Sequence, residues 1–169
     1  MSWTQLGLFT ELVDSVHGEQ KLESPTPVQN MVIPELLKEP HAHLAFLAAT
    51  GSGKTLGYAL PLLQIIKSEE LFENFERRPK RPRVLILAPT RELVIQISAV
   101  IKQLCHKIKL SSVGVVGGED YSAQRKALEK YVDVVVATPG RLVKHWKEGH
   151  VYLGGVKHVV LDEMDTMLE

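Results

Sequence analysis

The chain has 169 residues, 44% of them hydrophobic and 24% charged, which is typical of one globular α/β domain with a sizeable core. Its 20 Lys and Arg residues balance 20 Asp and Glu residues, so net charge indicates no polyanionic partner, and any contact with nucleic acid must depend on a local arrangement. A single cysteine, Cys105, excludes an internal disulfide and a cysteine-based zinc site, and no apolar run approaches the roughly 20 residues that span a membrane.

The N-terminal sequence lacks the features of a secretory signal or a transit peptide, so we expect a soluble intracellular protein, in the nucleus or the cytoplasm. Residues 5–38 are expected to be helical, with an interruption at "SPTPVQ" (24–29), where two prolines lie close together. Five later runs are almost continuously apolar, which is typical of strands buried on both faces: 43–49, 83–89, 112–117, 133–138 and 157–163. The segments between them predict helices at 54–66, 90–108, 121–130 and 140–148. This alternation predicts an α/β fold with a mostly parallel sheet and helices on both faces, which binds ligands at the carboxyl ends of its strands.

Residues 67–83 are expected to form a flexible insertion. Five of the last seven residues of this segment are basic and two are proline. The basic run suits a nuclear signal or an RNA contact. A solvated loop is the alternative that the composition favours.

The segment "AATGSGKT" (48–55) follows a predicted strand and opens a predicted helix. Gly51 and Gly53 allow backbone conformations with positive φ, so that successive N–H groups can converge on phosphate oxygens at a helix N-terminus. Lys54 can reach the β- and γ-phosphates, and the Thr55 hydroxyl suits a magnesium position. The general pattern begins with glycine where this chain has alanine, and a glycine-rich turn before a helix is the alternative. The flanking strand and helix favour a nucleotide site.

Asp162 and Glu163 lie at the carboxyl end of the last predicted strand, where the fold also places the phosphate loop. An Asp in this position can hold magnesium against β- and γ-phosphates. The neighbouring Glu can orient and deprotonate an attacking water. Two acids that favour a helix N-terminus through its dipole are the alternative. Together with the phosphate loop, the acids predict ATP hydrolysis.

Two further segments, "PTR" (89–91) and "TPGR" (138–141), each follow a predicted strand and open a helix. Helix-start N–H groups, a Thr hydroxyl and an Arg side chain are suitable donors to nucleic-acid phosphates. Ordinary Thr N-caps followed by Pro are the alternative, which spacing alone favours.

In order and spacing, these motifs resemble those of the DEAD-box RNA helicases over nearly the whole chain. "SPTPVQ" is similar to the family's adenine-recognition segment, and "AATGSGKT" is its phosphate loop without alteration. "APTREL" (88–93), "GG" (117–118) and "TPGR" are similar to its RNA-backbone motifs. The resemblance implies a RecA-like P-loop NTPase fold, with residues 1–40 as the adenine-recognition (Q-motif) region and 41–169 as an incomplete first RecA-like domain. The second helicase domain and the later Ser-Ala-Thr motif are absent.

The resemblance also implies four sets of site residues. The expected ATP-binding residues are Trp3, Thr26, Gln29, Ala49, Thr50, Gly51, Ser52, Gly53, Lys54 and Thr55. The expected catalytic residues are Lys54, Asp162 and Glu163, and the magnesium residues are Thr55 and Asp162. The expected RNA-binding residues are Pro89, Thr90, Arg91, Gly118, Gln124, Thr138, Pro139, Gly140 and Arg141.

Individual roles follow from the same resemblance. Gln29 is expected to hydrogen-bond the base edge and Trp3 to stack on adenine, with Phe9 as the fallback because the family usually has Phe. Asp165 is expected to couple ATP to RNA. Met164 stands where the family has alanine. We expect the chemistry to tolerate methionine there and the local packing to differ, because a thioether needs more room than a methyl group.

The resemblance therefore implies an ATP-dependent RNA helicase that uses ATP and Mg²⁺ and binds RNA largely without regard to sequence. Without the arginine fingers of a second domain, worth on the order of 10³–10⁵ in rate, we expect this chain to bind ATP weakly and hydrolyse it very slowly, as a monomer. A non-catalytic module that binds ATP, RNA or a helicase cofactor is the alternative. A DNA helicase of the same superfamily is disfavoured by Gln29 within "SPTPVQ".

Overall fold

The computed structural model describes all of residues 1–169. Two compact units make up the chain: residues 1–75 with 103–109, and residues 76–102 with 110–169.

The first unit is helical where the structure is regular. It contains a short 3-10 helix, Trp3–Leu6, and the helices α1 (Thr10–Gly18), α2 (Pro27–Lys38) and α3 (Lys54–Phe72). Helix α2 begins with a capping box, in which the side chains of Thr26 and Gln29 each accept a hydrogen bond from the other residue's backbone N–H, and Pro27 occupies the first turn. Helices α2 and α3 pack against each other.

A buried glutamine fastens the N-terminal segment to α3. The Oε1 atom of Gln64 accepts a hydrogen bond from the N–H of Phe9 at 2.6 Å, and its Nε2 atom donates to the carbonyl of Gly7 at 2.8 Å. Because the amide satisfies two backbone groups on either side of one residue, it fixes how the chain leaves the first 3-10 helix.

The second unit contains a four-stranded sheet: β1 (Val84–Leu87), β2 (Ser112–Val115), β3 (Val134–Ala137) and β4 (His158–Leu161). Its helices are α4 (Arg91–Ile108, whose last residues belong to the first unit), α5 (Tyr121–Leu128), α6 (Pro139–Lys147) and the single turn α7 (Met164–Met167), and a 3-10 turn lies at Leu153–Gly155. The strand order is β2-β3-β1-β4 and every pairing is parallel. All four residues of β3, "VVVA", are buried, as expected for a central strand rich in β-branched residues.

The strands end in register, which determines where the following segments lie. Leu87 at the end of β1 is paired with Ala137 of β3 on one side and with Leu161 of β4 on the other, and Ala137 is paired with Val115 of β2. The residues that follow the four strands therefore share one edge of the sheet. The core beneath it includes Leu128 of α5 and Leu142 of α6, together with strand residues.

The parallel sheet and four of the five predicted strands are confirmed, but the prediction of a strand at 43–49 is wrong. These residues have no regular secondary structure and pair with none of the four strands. Phe46 and Ala48 pack against the buried side chains of α2, whereas Leu44 is 43% exposed and Leu47 is fully exposed. An apolar run indicates a tendency to be buried, but a strand also needs a neighbouring strand, and that requirement is not visible in the run itself.

The prediction of a flexible insertion at 67–83 is wrong for residues 67–72, which are helical, whereas most of 73–83 is exposed irregular structure, as the alternative of a solvated loop expects. Residues 67–72 continue α3, and the basic segment is held by Asp133, which is 1% exposed. Arg77 Nη2 lies 2.6 Å from one Asp133 oxygen, and Arg83 Nη2 lies 3.0 Å from the other. The N–H of Ser111 donates to the same carboxylate at 2.8 Å. Two guanidinium groups and a backbone N–H thus compensate a carboxylate that burial would otherwise penalise.

Candidate functional site

The phosphate loop has the backbone geometry that its glycines predict. Gly51 and Gly53 adopt φ values of +79° and +82°, and α3 begins at Lys54 immediately afterwards. No side chain caps this helix, so N–H groups of its first turn can be offered to an anion. Ser52 Oγ is buried and has no hydrogen-bond partner, which fits a loop that completes its hydrogen bonds with a ligand.

Gln29 connects the start of α2 to this loop. Its side chain is fully buried, Oε1 accepts a hydrogen bond from the Thr26 N–H at 2.9 Å, and Nε2 donates to the Gly53 carbonyl at 3.0 Å. A Cβ atom on Gly53 would collide with that Nε2 atom, so glycine is needed there for space as well as for its positive φ. Both polar ends of the Gln29 amide are used within the protein, and its contact is with the phosphate loop rather than with an open surface.

An open cleft of about 410 Å³ lies beside Gln29, within the range of small-molecule sites. Its lining is mostly apolar, from the first turns of α2 and from the segment before the phosphate loop: Thr26, Pro27, Val28, Met31, Leu47, Ala48 and Ser52. Trp3 and Phe9 do not line it. Trp3 is 1% exposed, so its ring is not available for stacking on a base in this conformation.

The acidic motif continues β4. The N–H of Asp162 donates to the Leu87 carbonyl at 2.9 Å, and the Asp162 side chain is 5% exposed. Glu163 then adopts a left-handed conformation with φ +52° and ψ 50°, and it precedes α7. Such a conformation costs a non-glycine residue about 1–3 kcal/mol, and strain of this kind is concentrated at functional sites. Met164 is 46% exposed, so solvent provides the room that the thioether needs.

Three predicted RNA motifs meet at the shared edge of the sheet, after β1, β2 and β3. Arg91 Nη1 donates to the Gly117 carbonyl at 3.3 Å, and Arg91 Nη2 lies 2.8 Å from the carboxylate of Glu119. Gly118 has a φ of +79°, and a Cβ atom there would collide with Arg91 Nη1. Glycine is therefore favoured at 118 by its positive φ, and a side chain there would also displace the end of Arg91.

The two Thr residues of these motifs differ in what their hydroxyls do. Thr90 Oγ1 accepts a hydrogen bond from the Leu93 N–H at 3.3 Å, which is an ordinary N-cap. Thr138 is the N-cap residue of α6 but its side chain makes no capping bond. Arg141, in the first turn of α6, has a buried Nη1 atom without a hydrogen-bond partner. A buried guanidinium donor without a partner, in a motif whose Thr hydroxyl does not cap its helix, fits an oxyanion ligand.

Gln124, an expected RNA contact, is instead buried, with 6% of its surface exposed. Its Nε2 atom donates to the Val116 carbonyl at 2.8 Å, and its Oε1 atom lies 3.0 Å from Nε2 of His145. The structure thus buries Gln124 against the backbone that leads into the turn at Gly117 and Gly118, and does not expose it on the surface of that turn. Spacing along the chain could not distinguish the two, because a polar residue on a short helix is equally compatible with either position.

The surroundings of Gln124 contain residues that sequence reasoning missed. The ring of Tyr121 stacks on that of His145, with centroids 4.1 Å apart and planes 18° from parallel, and the Arg141 guanidinium lies 5.2 Å from the Tyr121 centroid. Burial, followed by the neighbouring His150, lowers the pKa of His145 to about 4. Burial likewise raises the pKa of the Tyr121 hydroxyl. The edge of the sheet that carries the three predicted RNA motifs, called the motif edge below, is therefore packed against a neutral histidine.

Metal-ligand clusters and membrane-spanning helices are both absent. No group of three or more His, Cys, Asp or Glu side chains is arranged to hold a metal ion. No helix combines the length and apolar character needed to cross a bilayer.

A family model for the DEAD/DEAH box helicases matches residues 26–169. The chain belongs to the DEAD/DEAH box helicase family. Its fold agrees with this assignment: the solved structure of the RNA helicase Prp28 from Chaetomium thermophilum bound to ADP superposes with a TM-score of 0.86 at 36% identity, over 99% of this chain and 39% of that one. Both the predicted family and the RecA-like α/β fold class are confirmed.

Named helicases are similar in sequence to this chain over nearly its whole length. The DEAD-box ATP-dependent RNA helicase 39 of Arabidopsis thaliana is 37% identical over 168 residues, which are 99% of this chain and 27% of that protein. The ATP-dependent RNA helicase DeaD of Escherichia coli strain K12 is 36% identical over 168 residues, 99% of this chain and 25% of that protein. The chain therefore spans about a quarter of the length of these two helicases.

Proposed function

We propose that this chain is the first RecA-like domain of an ATP-dependent RNA helicase, which hydrolyses ATP to separate short RNA duplexes together with a second RecA-like domain. The observation that carries the proposal is the register of the four strand ends, which delivers three RNA-type motifs and the acidic motif to one edge of a parallel sheet. Names and titles of the relatives, which include ATP-dependent RNA helicases and an ADP-bound structure, support the same function.

The nucleotide would bind at the phosphate loop, with its base in the apolar cleft beside α2. Backbone N–H groups of 49–55 and the Lys54 ammonium would hold the phosphates, and the unpaired Ser52 hydroxyl is available to them. Gln29 would contribute by fixing the loop through its bond to Gly53. Its buried amide makes the position of the loop dependent on the start of α2, which lines the cleft.

The hydrolytic step is assigned to Glu163, which would orient and deprotonate the attacking water while Lys54 stabilises charge on the transferred phosphate. The Thr55 hydroxyl and the Asp162 carboxylate are hard oxygen donors of the kind that Mg²⁺ accepts. Proteins commonly hold this ion with one or two carboxylates together with substrate phosphates and water, so a cluster of three protein ligands is not required. When bound, Mg²⁺ would neutralise charge on the phosphates. Asp165, three positions after Asp162, is the expected coupling residue.

RNA would bind along the motif edge through its phosphates and ribose hydroxyls. The donors proposed are the Arg91 and Arg141 guanidinium groups, the Thr138 hydroxyl and N–H groups at Gly118 and at the starts of α4 and α6, so the motifs contribute Pro89, Thr90, Pro139 and Gly140 mainly as backbone. Contacts of this kind carry little base information, and binding would depend weakly on sequence.

The proposal is tested by RNA-stimulated phosphate release from ATP in the full-length protein, with Glu163→Gln and Lys54→Ala as variants. Glu163→Gln is expected to keep nucleotide and RNA affinity while losing about 10²–10⁴-fold in turnover, the range of general-base catalysis. Lys54→Ala is expected to weaken nucleotide binding as well. Nucleotide binding without RNA-stimulated turnover in the unmodified protein would instead identify a non-catalytic binding module.

A further inference from the structure

Three buried side chains form a continuous chain of hydrogen bonds beneath the motif edge. Gln124 lies on α5, His145 on α6 and His150 just after α6, and they are 6%, 0% and 7% exposed. Gln124 Oε1 lies 3.0 Å from His145 Nε2, and His145 Nδ1 lies 2.9 Å from His150 Nδ1. The assigned nucleotide and RNA contacts use none of these three side chains.

The directions of these hydrogen bonds follow from the Val116 carbonyl and from the neutral state of His145. A carbonyl oxygen can only accept, so the Gln124 atom that contacts the Val116 carbonyl at 2.8 Å must be the amide nitrogen. The Gln124 oxygen then faces His145 Nε2, which must carry the proton and donate. His145 is neutral because its pKa is lowered to about 4, so its Nδ1 atom has a lone pair and accepts from the Nδ1–H of His150.

This series of hydrogen bonds ends at the backbone carbonyl of Val116, next to the turn formed by Gly117 and Gly118. Val116 immediately precedes Gly117 and Gly118, and the Gly117 carbonyl accepts the hydrogen bond from Arg91 Nη1. A shift of the Val116 carbonyl would therefore move the group that orients Arg91.

A second connection leads from the same histidine to the other motif arginine. His145 stacks on Tyr121, whose ring lies 5.2 Å from the Arg141 guanidinium carbon and 4.4 Å from Lys144 Nζ. Such contacts between a cation and an aromatic face are worth about 0.5–2 kcal/mol and restrict where the cation lies. Both proposed RNA-binding arginines are thus supported by the packing around one neutral imidazole.

We propose that Gln124 is a positioning residue of the RNA-binding edge rather than an RNA contact, and that His145 and His150 hold its amide in the one orientation that donates to Val116. This inference rests on the proposed RNA-binding function. Without the imidazole donor, Gln124 Oε1 would be a buried acceptor without a partner, and the amide that donates to the Val116 carbonyl would lose one of the two contacts that hold it. The histidine pair acts only through the orientation of Gln124 and of the two arginines.

The tautomers provide a direct test that does not depend on RNA. In the full-length protein with ¹⁵N-labelled histidine, long-range proton–nitrogen spectra at neutral pH are expected to show His145 protonated only on Nε2 and His150 carrying a proton on Nδ1. Assignment uses the loss of each signal in the variants below. A proton on His145 Nδ1 would reverse the chain and overturn the proposal.

Affinity for a labelled oligouridylate, measured by fluorescence anisotropy, tests the consequence for RNA. In His145→Gln the amide nitrogen replaces Nε2 as a donor, so RNA affinity is expected to stay within about twofold of that of the unmodified protein. His145→Phe has no donor and is expected to weaken RNA affinity about five- to tenfold, the effect of losing one buried hydrogen bond. His150→Asn and His150→Leu form a parallel pair, with the smaller loss expected in His150→Asn. His106→Phe, at an exposed position on α4, is the control and is expected to have no effect.

Affinity for ADP, measured in the same samples, separates a local effect from unfolding, because it reports on the phosphate loop. Equal RNA affinity in His145→Gln and His145→Phe would overturn the proposal. If His145→Phe also loses ADP binding, the comparison of His150→Asn with His150→Leu decides, and equal RNA affinities there overturn it. Failure of the unmodified protein to bind the oligouridylate would overturn the proposed function itself, whatever the tautomers show.

Discussion

The buried His145 makes the stability of its unit dependent on pH, and the size of the effect can be worked out. Its pKa in the folded chain is about 4, against 6.5 for the free side chain. This pKa difference of about 2.5, at about 1.4 kcal/mol per pKa unit, corresponds to ~3.5 kcal/mol of preference for the neutral form. The side chain is 0% exposed, so solvent does not screen the interaction that produces the shift.

The sign follows from which state binds the proton. Between pH ~6.5 and ~4 the unfolded chain takes up a proton on this residue and the folded chain does not, so stability is complete above pH ~6.5 and falls as the pH is lowered towards ~4. The physical cause is that a charged imidazole would lose its hydration, would be repelled by His150 if that ring were protonated, and would have no acceptor for a second N–H.

Urea denaturation at a series of pH values, followed by circular dichroism, measures the effect against His145→Gln as the reference. The amide of this variant does not titrate but keeps the donor to Gln124. The free energy of unfolding of the unmodified protein is expected to fall by ~3.5 kcal/mol more than that of His145→Gln over this range. Parallel pH profiles for the two proteins would refute the reasoning, because they would mean that His145 titrates alike in both states.

Three further predictions concern single positions. Gly118→Ala places a Cβ atom against an arginine side chain and forces a positive φ on a non-glycine residue, so we expect about 1–3 kcal/mol lower stability and weaker RNA binding, measured beside Gly154→Ala, where nothing lies within 4 Å of the new carbon. Asp133→Ala leaves the buried Arg83 without its carboxylate partner, and a loss of about 3–5 kcal/mol is expected in urea denaturation; a loss below about 1 kcal/mol would contradict the assigned role. Gly53→Ala is expected to lower ADP affinity at least about tenfold by pushing aside a buried glutamine amide, and unchanged calorimetric affinity would show that the phosphate loop does not depend on that contact.

Local features of the chain were predictable because their causes are local. The runs at 83–89 and 133–138 became strands because β-branched residues favour extended backbone and a sheet buried on both faces accepts continuous apolar side chains. Gly51 and Gly53 have the positive φ values that the phosphate-loop pattern requires. The start of α3 at Lys54 follows from the same pattern.

The failures share another cause, which is that the deciding partner is distant in the chain. The apolar run at 43–49 is not a strand because pairing depends on a neighbour that the run does not specify. The basic segment is anchored at Arg83 by a partner, Asp133, that lies 50 positions further along. Composition describes both segments correctly but says nothing about these distant partners.

The sequence by itself determined the family, the parallel α/β class, the phosphate loop and the acidic motif after the last strand, because each is written in contiguous residues whose backbone or burial preferences are intrinsic. Only the tertiary structure decided what the polar side chains do. Gln29 and Gln124 were both expected at ligands, and both are buried with the nitrogen and the oxygen of the amide hydrogen-bonded within the protein. A side-chain amide inside a protein must satisfy its donor and its acceptor, and which groups do so depends on the packing of elements that are far apart in the chain.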